Sequence, residues 1–353
     1  MNVETGIYMK KSHNLWVILL LLVSCRQEMV VPDGAEHYPV TFNLPAVEVL
    51  TRAEDGDALA TGATLTIAAY DPDTKEMVGA SRYVVMNAEA TGLELATDAS
   101  PLYLPAGTYD FCAMAPQQTL SDGGRAVTIG SGVDALGSVT HAQMQAAPTA
   151  VTLNNLKHLA SQVSFTVRVV ATNSPVTEFK VIKIVVDGMV EPQTGNYKLP
   201  ENEWIMPLAS ETDKFGELVI DNTDGDKFDC PENAPEGKSG KFFHIQKEPS
   251  IVFPKAAATL HATLSLKVGI DNGTAEDKTV RATINNLAFE PGKRYLFEVN
   301  YGWDFTTFTV KTVAWTQVDN PQGEVGSGEQ EIGNNTFTVD EWGNLIDLGG
   351  IIG

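Results

Sequence analysis

The sequence predicts an all-β protein of two tandem antiparallel β-sandwich domains, and three observations predict it. Apolar residues recur at every second position in short runs: Tyr38, Val40, Phe42 and Leu44; Leu65 and Ile67; Val163, Phe165, Val167 and Val169; Leu264 and Leu266; Tyr295, Phe297, Val299 and Tyr301. Period two sends successive side chains to opposite faces, so each run is a strand with one face buried. Turn formers separate the runs, among them Asp71-Pro72-Asp73, Asp122-Gly123-Gly124, Asp187-Gly188 and Asp224-Gly225, residues whose side chains or lack of one favour reversal of the backbone. Strand follows strand with no 3.6-residue apolar pattern between them, which points to antiparallel sandwiches and away from βαβ units. Only residues 139 to 147, around His141 and Met144, read as one short turn or helix.

At the N-terminus, Lys10 and Lys11 precede an apolar run from Leu15 to Val23 that ends in Leu22-Val23-Ser24-Cys25. A basic stretch, a short apolar stretch and a small residue before a cysteine make residues 1–24 a lipoprotein signal peptide. The run is about half as long as the ~20 residues of a membrane-spanning helix, so it reads as a signal and not as an anchor. Met9-Lys10-Lys11 is a more typical signal start than Met1, and both starts stay open. The mature chain then begins at Cys25, whose thiol and amine carry acyl chains. Each buried methylene adds ~0.8 kcal/mol of membrane binding. The plainer reading of Cys25 is a cysteine in an ordinary signal peptide.

The formal net charge is −21. Removing residues 1–24 takes away Glu4, Lys10 and Lys11, one net positive charge, and leaves −22. Such an acidic chain is a poor partner for nucleic acid or anionic lipid, both of which need basic patches. Beyond Cys25 stand two cysteines, Cys112 and Cys230. An exported protein could join them, or they are two buried thiols; the sequence leaves both readings open.

A stretch of small and polar residues from Gly130 to Thr149 places a domain boundary near residue 150. The expected organisation is an N-terminal segment over residues 25–52, a first sandwich over 53–150 and a second over 151–318. A flexible linker follows at 319–335, then an apolar tail at 336–353. Within the second sandwich, residues 192–240 are rich in acids and turn formers and read as an insertion or surface loops. The linker sequence, Asn320 to Asn335, is too polar to bury a core. The tail is the opposite, with Phe337, Val339, Trp342, Leu345, Ile346, Leu348, Ile351 and Ile352 crowded together.

Catalytic and metal-binding patterns are scarce. There is no phosphate-binding glycine loop, no GxSxG elbow, no CxxC pair and no metal-ligand spacing among the six histidines. His158, His244 and His261 read as ordinary edge or surface residues. Asp221, Asp224, Asp226, Asp229 and Glu232 approximate a calcium loop, yet Gly225 falls where a side-chain ligand is needed and Asp226 where the turn glycine belongs. With 45 acidic residues, no pair is singled out for glycoside hydrolysis. Tyr301, Trp303 and Trp315 fit a core better than a sugar platform. The sequence therefore calls for no cofactor and no metal, and for a protein that is not an enzyme.

Three segments carry a further pattern: Leu104-Pro105-Ala106-Gly107-Thr108-Tyr109-Asp110-Phe111-Cys112-Ala113, Leu156-Lys157-His158-Leu159-Ala160-Ser161-Gln162-Val163-Ser164-Phe165, and Phe289-Glu290-Pro291-Gly292-Lys293-Arg294-Tyr295-Leu296-Phe297. The last is followed by Phe308-Thr309-Val310 and Val313-Ala314-Trp315. Gly107 and Gly292 are read as tight-turn glycines before an outgoing strand, with Tyr109 and Tyr295 as amphipathic rings near a sandwich edge. Their order and spacing, together with the lipoprotein box, resemble the fimbrillins of Bacteroidales over nearly the whole chain.

The resemblance implies two transthyretin-like sandwiches in tandem and a lipidated precursor, held at the outer membrane through Cys25 and then displayed at the cell surface or in a fimbrium. An arginine-specific protease cuts after the first strand, and a neighbouring subunit's C-terminal strand fills the vacated groove. The partners implied are that protease and other fimbrial subunits. Candidates for every part are present. Val40, Phe42 and Leu44 mark the displaced first strand; Arg52 and Ala53 flank the cleavage point ahead of Glu54-Asp55-Gly56-Asp57; Phe337, Val339, Leu345 and Ile346 are donor-strand residues. The plainer readings are a loop residue for Arg52 and, for the tail, an intramolecular strand or a loose end. Two other functions remain open: a monomeric surface lipoprotein that binds a glycan or host protein, and a glycosidase with two carboxylates in a cleft.

Overall fold

The computed structural model describes residues 36–44, 59, 61–86, 92–170, 174–190, 194–205, 216–235, 237–302, 306–314, 331–337 and 339–343. A first series of strands comprises β1 (His37–Asn43), β2 (Thr64–Tyr70), β3 (Met77–Val85), β4 (Leu93–Leu95), β5 (Tyr103–Pro105), β6 (Gly107–Ala115), β7 (Leu120–Ser121), β8 (Ala126–Gly130), β9 (Leu136–Met144), β10 (Thr149–Thr152) and β11 (Lys157–His158). A second comprises β12 (Ser161–Val169), β13 (Val176–Val190), β14 (Thr194–Lys198), β15 (Glu203–Ile205), β16 (Gly216–Asp221), β17 (Phe228–Asp229), β18 (Lys241–Gln246), β19 (Ser250–Val252), β20 (Lys255–Ile270), β21 (Glu276–Phe289), β22 (Lys293–Tyr301), β23 (Thr306–Ala314), β24 (Glu331–Phe337) and β25 (Val339–Gly343). Among the described residues the helical content is a single 3-10 turn at Asp122–Gly124.

The alternation read from the sequence is the alternation of burial. In β12, Val163, Phe165, Val167 and Val169 are buried while Gln162, Thr166 and Arg168 are partly exposed. The turn signal at Asp71-Pro72-Asp73 acts as expected: the Asp71 carboxylate accepts the Asp73 and Thr74 N–H groups at 2.9 and 2.8 Å, closing the turn between β2 and β3. Asp187-Gly188 does not, since it lies within β13, where Gly188 holds a positive φ of 71°.

A three-stranded sheet, β10-β1-β5, and a six-stranded one, β11-β9-β6-β2-β3-β4, share a first core that includes Val40, Phe42, Ile67, Phe111 and Val151. A second pair, β17-β18-β12-β22-β23-β24 with β19 beside β12, and β16-β13-β20-β21-β25, shares a core around Phe165, Ile184, Leu264, Phe297 and Phe308. The protein is thus all-β and dominated by antiparallel sheets. The pairs β1–β10 and β12–β22 run parallel.

A third core lies between the two series. It contains Ala68 and Tyr70 of β2, Cys112 and Met114 of β6, Val127 and Ile129 of β8, and Tyr197 and Leu199 from the second series. It is covered by the sheet β15-β14-β8-β7, in which β14 crosses to β8 with Tyr197 opposite Val127. Consequently β2 and β6 bury both faces: Leu65, Ile67, Phe111 and Ala113 face the first core, while Ala68, Tyr70, Cys112 and Met114 enter the third. A strand covered on both sides reads as an unbroken apolar run, as Phe111-Cys112-Ala113-Met114-Ala115 does.

Several sequence expectations are corrected. Residues 139–147 are not a turn or helix up to Met144 but belong to β9, whose backbone groups pair with β6 from Gly107 to Ala115. Residues 192–240 are more than surface loops, since they supply β14 to β17 and bury Tyr197, Leu199 and Phe228. His158 and His244 are buried, at 7% and 5% exposure, and not surface residues. His158 reaches the Asp134 carboxylate through Nδ1 at 2.7 Å, and His244 lies edge-on to Phe179 at 5.6 Å. Tyr301 is a core residue against Phe179. Finally, Gly292 holds a positive φ of 68°, as its turn requires, but Gly107 does not. Gly107 is small because Tyr109 folds back over it: a Cβ there would lie 3.3 Å from the Tyr109 hydroxyl.

Candidate functional site: the bed of the first strand

The first strand owes its position to period two. Val40 and Phe42 point inward at 4% and 1% exposure, Thr41 between them is exposed, and Leu44 packs half-buried against the same core. Burial of such side chains contributes ~1.5–3 kcal/mol each. β1 is the middle strand of its sheet, parallel to β10, with Val40 opposite Thr149 and Phe42 opposite Val151. It is antiparallel to β5, with Tyr38 opposite Leu104. The Val40 N–H donates to the Leu102 carbonyl and the Leu153 N–H to the Asn43 carbonyl, both at 2.9 Å.

β1 therefore lies in a bed with two backbone edges and an aromatic floor. Phe42 meets Tyr83 and Phe111 edge-on, each at 5.3 Å between ring centroids, the arrangement that places ring edges against ring faces. Tyr83 carries no motif of its own; its signal in the sequence is its period-two partnership with Val85, both buried in β3. Tyr109 closes one end of the floor, donating its hydroxyl to the Pro105 carbonyl at 3.2 Å. In the second series Tyr295 plays the related part, accepting the Glu290 N–H at 2.9 Å.

Leu59 re-enters the first core at 9% exposure. Arg52 and Ala53 lie between the Phe42 and Leu59 anchors, in residues outside those described, as do Cys25 and the signal. On the face of β6 away from Phe111, Asp110 is paired with Lys75 and His141. Burial opposes ionisation of Asp110, but hydrogen bonds from Lys75 and His141, each at 2.8 Å, outweigh it and hold its carboxyl below the ordinary range.

The two later cysteines are free thiols. Cys112 is buried in the third core and donates to the Leu199 carbonyl at 3.2 Å; burial pushes its pKa up to about 12, which keeps it a thiol. Cys230 is exposed beyond β17. The disulfide that the sequence left open is absent between them.

The tail residues divide. Phe337 lies on β24 opposite Phe308 of β23, and Val339 on β25 opposite Ala282 of β21. β24 extends one sheet of the second pair and β25 the other, so the chain passes from sheet to sheet of its own sandwich. Leu345 and Ile346 fall outside the described residues. The structure thus brings Val40, Phe42 and Leu44 together and does not bring Phe337 or Val339 to them.

A protein-family model described as fimbrillin-like matches residues 30–318. Among solved structures, the chain is similar to a fimbrial protein from Bacteroides vulgatus ATCC 8482, 12% identical, covering 80% of this chain and 100% of that one with a TM-score of 0.53. It is also similar to a protein assigned to cell adhesion from Bacteroides ovatus ATCC 8483, at 14% identity, 81% and 100% coverage and a TM-score of 0.51. A protein assigned to cell adhesion from Bacteroides uniformis ATCC 8492 follows at 16% identity, 79% and 99% coverage and a TM-score of 0.50. At these identities the likeness is one of fold. No match was found among curated proteins. Because the family model spans both strand series, from ahead of β1 to beyond β23, the chain belongs to the fimbrillin-like family.

Proposed function

We propose that this fimbrillin-like protein is a non-enzymatic structural subunit of a cell-surface fimbria with a role in adhesion, assembled by protease-triggered strand exchange. Export as a lipoprotein through Cys25 would bring it to the outer membrane first. The observation that carries the reading is β1: it is the middle strand of its sheet, fills its bed with Val40, Phe42 and Leu44, and joins the rest of the chain through the segment containing Arg52.

While that segment is intact, β1 is held at a high effective concentration; hydrolysis of the Arg52–Ala53 bond makes its retention bimolecular, and a millimolar tether is lost. The bed then offers two unpaired backbone edges and an apolar floor, which a strand from another subunit completes by strand addition. A head-to-tail contact of this kind does not close on itself and builds a linear polymer. Membership of the fimbrillin-like family and the likeness in fold to a fimbrial protein from Bacteroides vulgatus support assembly with other subunits.

The pairing of β24 and β25 with their own sandwich favours a second reading, a monomeric surface lipoprotein that binds a glycan or host protein. Digestion of soluble residues 26–353 with an arginine-specific protease, beside a version ending at Asn335, separates the two. Cleavage after Arg52 followed by oligomer ladders only with the tail present supports exchange. A cut protein that stays monomeric supports the second reading.

A further inference from the structure

We infer that a shallow cleft on the outer face of the second pair of sheets binds an acidic sugar, its carboxylate held by Arg168 and Lys238 and its hydroxyls by Glu298 and two threonines. This deepens the adhesive role proposed above by naming a ligand class. It requires neither cleavage at Arg52 nor assembly.

The cleft holds about 270 Å³, is open to solvent, and lies where β12, β18 and β22 meet the stretch of chain that carries Pro235 and Lys238. Its lining follows from alternation. Val163, Phe165, Val167 and Val169 of β12 face the second core, which turns Thr166 and Arg168 outward. Phe297 and Val299 of β22 do the same for Glu298. Thr166 of β12 and Thr309 of β23 stand opposite Glu298 on its two sides, both half-buried.

Three cations converge on that one carboxylate. Lys238 Nζ lies 2.6 Å and Lys311 Nζ 3.8 Å from the same oxygen, Glu298 Oε1. Burial opposes ionisation of Glu298, but Lys238, Lys311 and Arg168 outweigh it and hold its carboxyl below the ordinary range. One cation would neutralise the carboxylate; among the described residues the other two leave an uncompensated charge of about +2, on a chain whose formal net charge is −21. The lysine side chains are only 26% and 22% exposed, so water screens their repulsion incompletely. An anion entering the cleft offsets it.

The backbone beside the cleft is strained in the same place. Phe242 holds a φ of 53°, where a bulge shifts the pairing of β18 between Val167 and Val169, and bulges re-aim the side chains around them. Phe243 is thereby set under Arg168, whose guanidinium lies 5.7 Å from the ring centroid. Arg168 gives Nε to the Asn300 side chain at 2.7 Å and Nη1 to the Ser239 carbonyl at 2.9 Å, so the fork is fixed and Nη2 remains for a ligand.

A bare anion would answer the cations and nothing else. Both lysine bridges go to Oε1, which leaves Glu298 Oε2 to accept a hydroxyl, with the Thr166 and Thr309 hydroxyls on either side. A sugar that carries a carboxylate uses every part: its planar anion suits the arginine fork, and its hydroxyls meet Oε2 and the threonines.

The test titrates uncut soluble residues 26–353 with glucuronate, N-acetylneuraminate, glucose, acetate and N-acetylaspartate, followed by ligand-detected nuclear magnetic resonance at low salt. At least one sugar acid should bind about ten-fold more tightly than glucose or acetate, the scale of one charge-assisted hydrogen bond; which of the two binds more tightly distinguishes a uronate from a sialate source. Lys238→Met and Arg168→Gln should each weaken that binding about ten-fold, with melting as in the parent. Lys247→Met, whose bridge to Asp229 lies outside the cleft, should leave it unchanged. Should Arg168→Gln fail to fold, Lys238→Met decides, since its side chain comes from outside the strands. Sugar acids that bind no better than glucose, or binding that Lys238→Met leaves intact, overturn the inference. N-acetylaspartate or acetate binding as tightly as the sugar acids overturns it too, and gives the cleft to acidic protein side chains. Each of these failures leaves strand exchange standing, because the chain is never cut.

Discussion

Phe42 stands edge-on to Phe111, with ring centroids 5.3 Å apart and planes at 70°. That contact joins the first strand to β6, a strand that is itself buried on both faces, so a change at residue 42 is felt in the middle of the molecule.

Phe42→Ala should therefore destabilise the uncut protein by ~3–5 kcal/mol, the range for an aromatic truncated in a packed core. Phe42→Leu should cost less than half of that, since it keeps most of the apolar volume. Denaturant unfolding of both variants checks the pair. Equal losses would mean that apolar volume alone does not account for the stability Phe42 contributes.

The cysteines should respond differently to a thiol reagent. In the native protein without Cys25, maleimide should label exposed Cys230 and spare Cys112, which is buried and held as a neutral thiol. Mass spectrometry of digests before and after unfolding reads the result; rapid native labelling of Cys112 would mean that the third core opens readily.

The two glycines ahead of the tyrosines should fail for different reasons. Gly292→Ala forces a Cβ into the left-handed region at φ 68°, costing ~1–2 kcal/mol. Gly107→Ala presses on the Tyr109 ring and should lengthen or break the bond to Pro105. Combining it with Tyr109→Leu should recover part of the loss, whereas Tyr295→Leu should recover nothing for Gly292→Ala. Melting temperatures of the four variants make the comparison.

Stability should also depend on pH through His244. Burial holds its imidazole below the ordinary value of 6.5, although its hydrogen bond to the Phe242 carbonyl pulls the other way. The unfolded chain then takes up a proton more readily than the folded one. The stability associated with neutral His244 is complete above about pH 6.5 and is lost as pH falls through the lower folded value. Asp110, also lowered, gives up its share only in a separate and more acidic window, below its ordinary 3.8. Unfolding free energies between pH 7 and 5 should fall in the parent and flatten in His244→Phe; identical slopes would discount His244.

Much of the fold was legible in the sequence because a strand with one buried face must alternate. Val163 to Val169 and Tyr295 to Tyr301 announced their own burial, and Val40, Phe42 and Leu44 announced a first strand. Elements whose reason lies in distant residues were hidden. β9 looked irregular because its partner, β6, begins at Gly107. The turn-rich stretch after residue 192 looked like surface because β14 finds its neighbour in β8, across the midpoint of the chain. Gly107 looked like a turn glycine because the ring that demands its smallness arrives only when Tyr109 folds back.

The sequence by itself determined the class of the fold, the alternation that buries one face of β1, and the apolar character of the last residues. Those are local properties, written in side-chain type and spacing. Only the tertiary structure decided that β2 and β6 are buried on both faces, that Cys112 and Cys230 sit in different surroundings, and that β24 and β25 complete their own sandwich. Each of these depends on which strands become neighbours. Neighbours are chosen by the collective burial of apolar faces over the whole chain, a quantity that no short window of sequence contains.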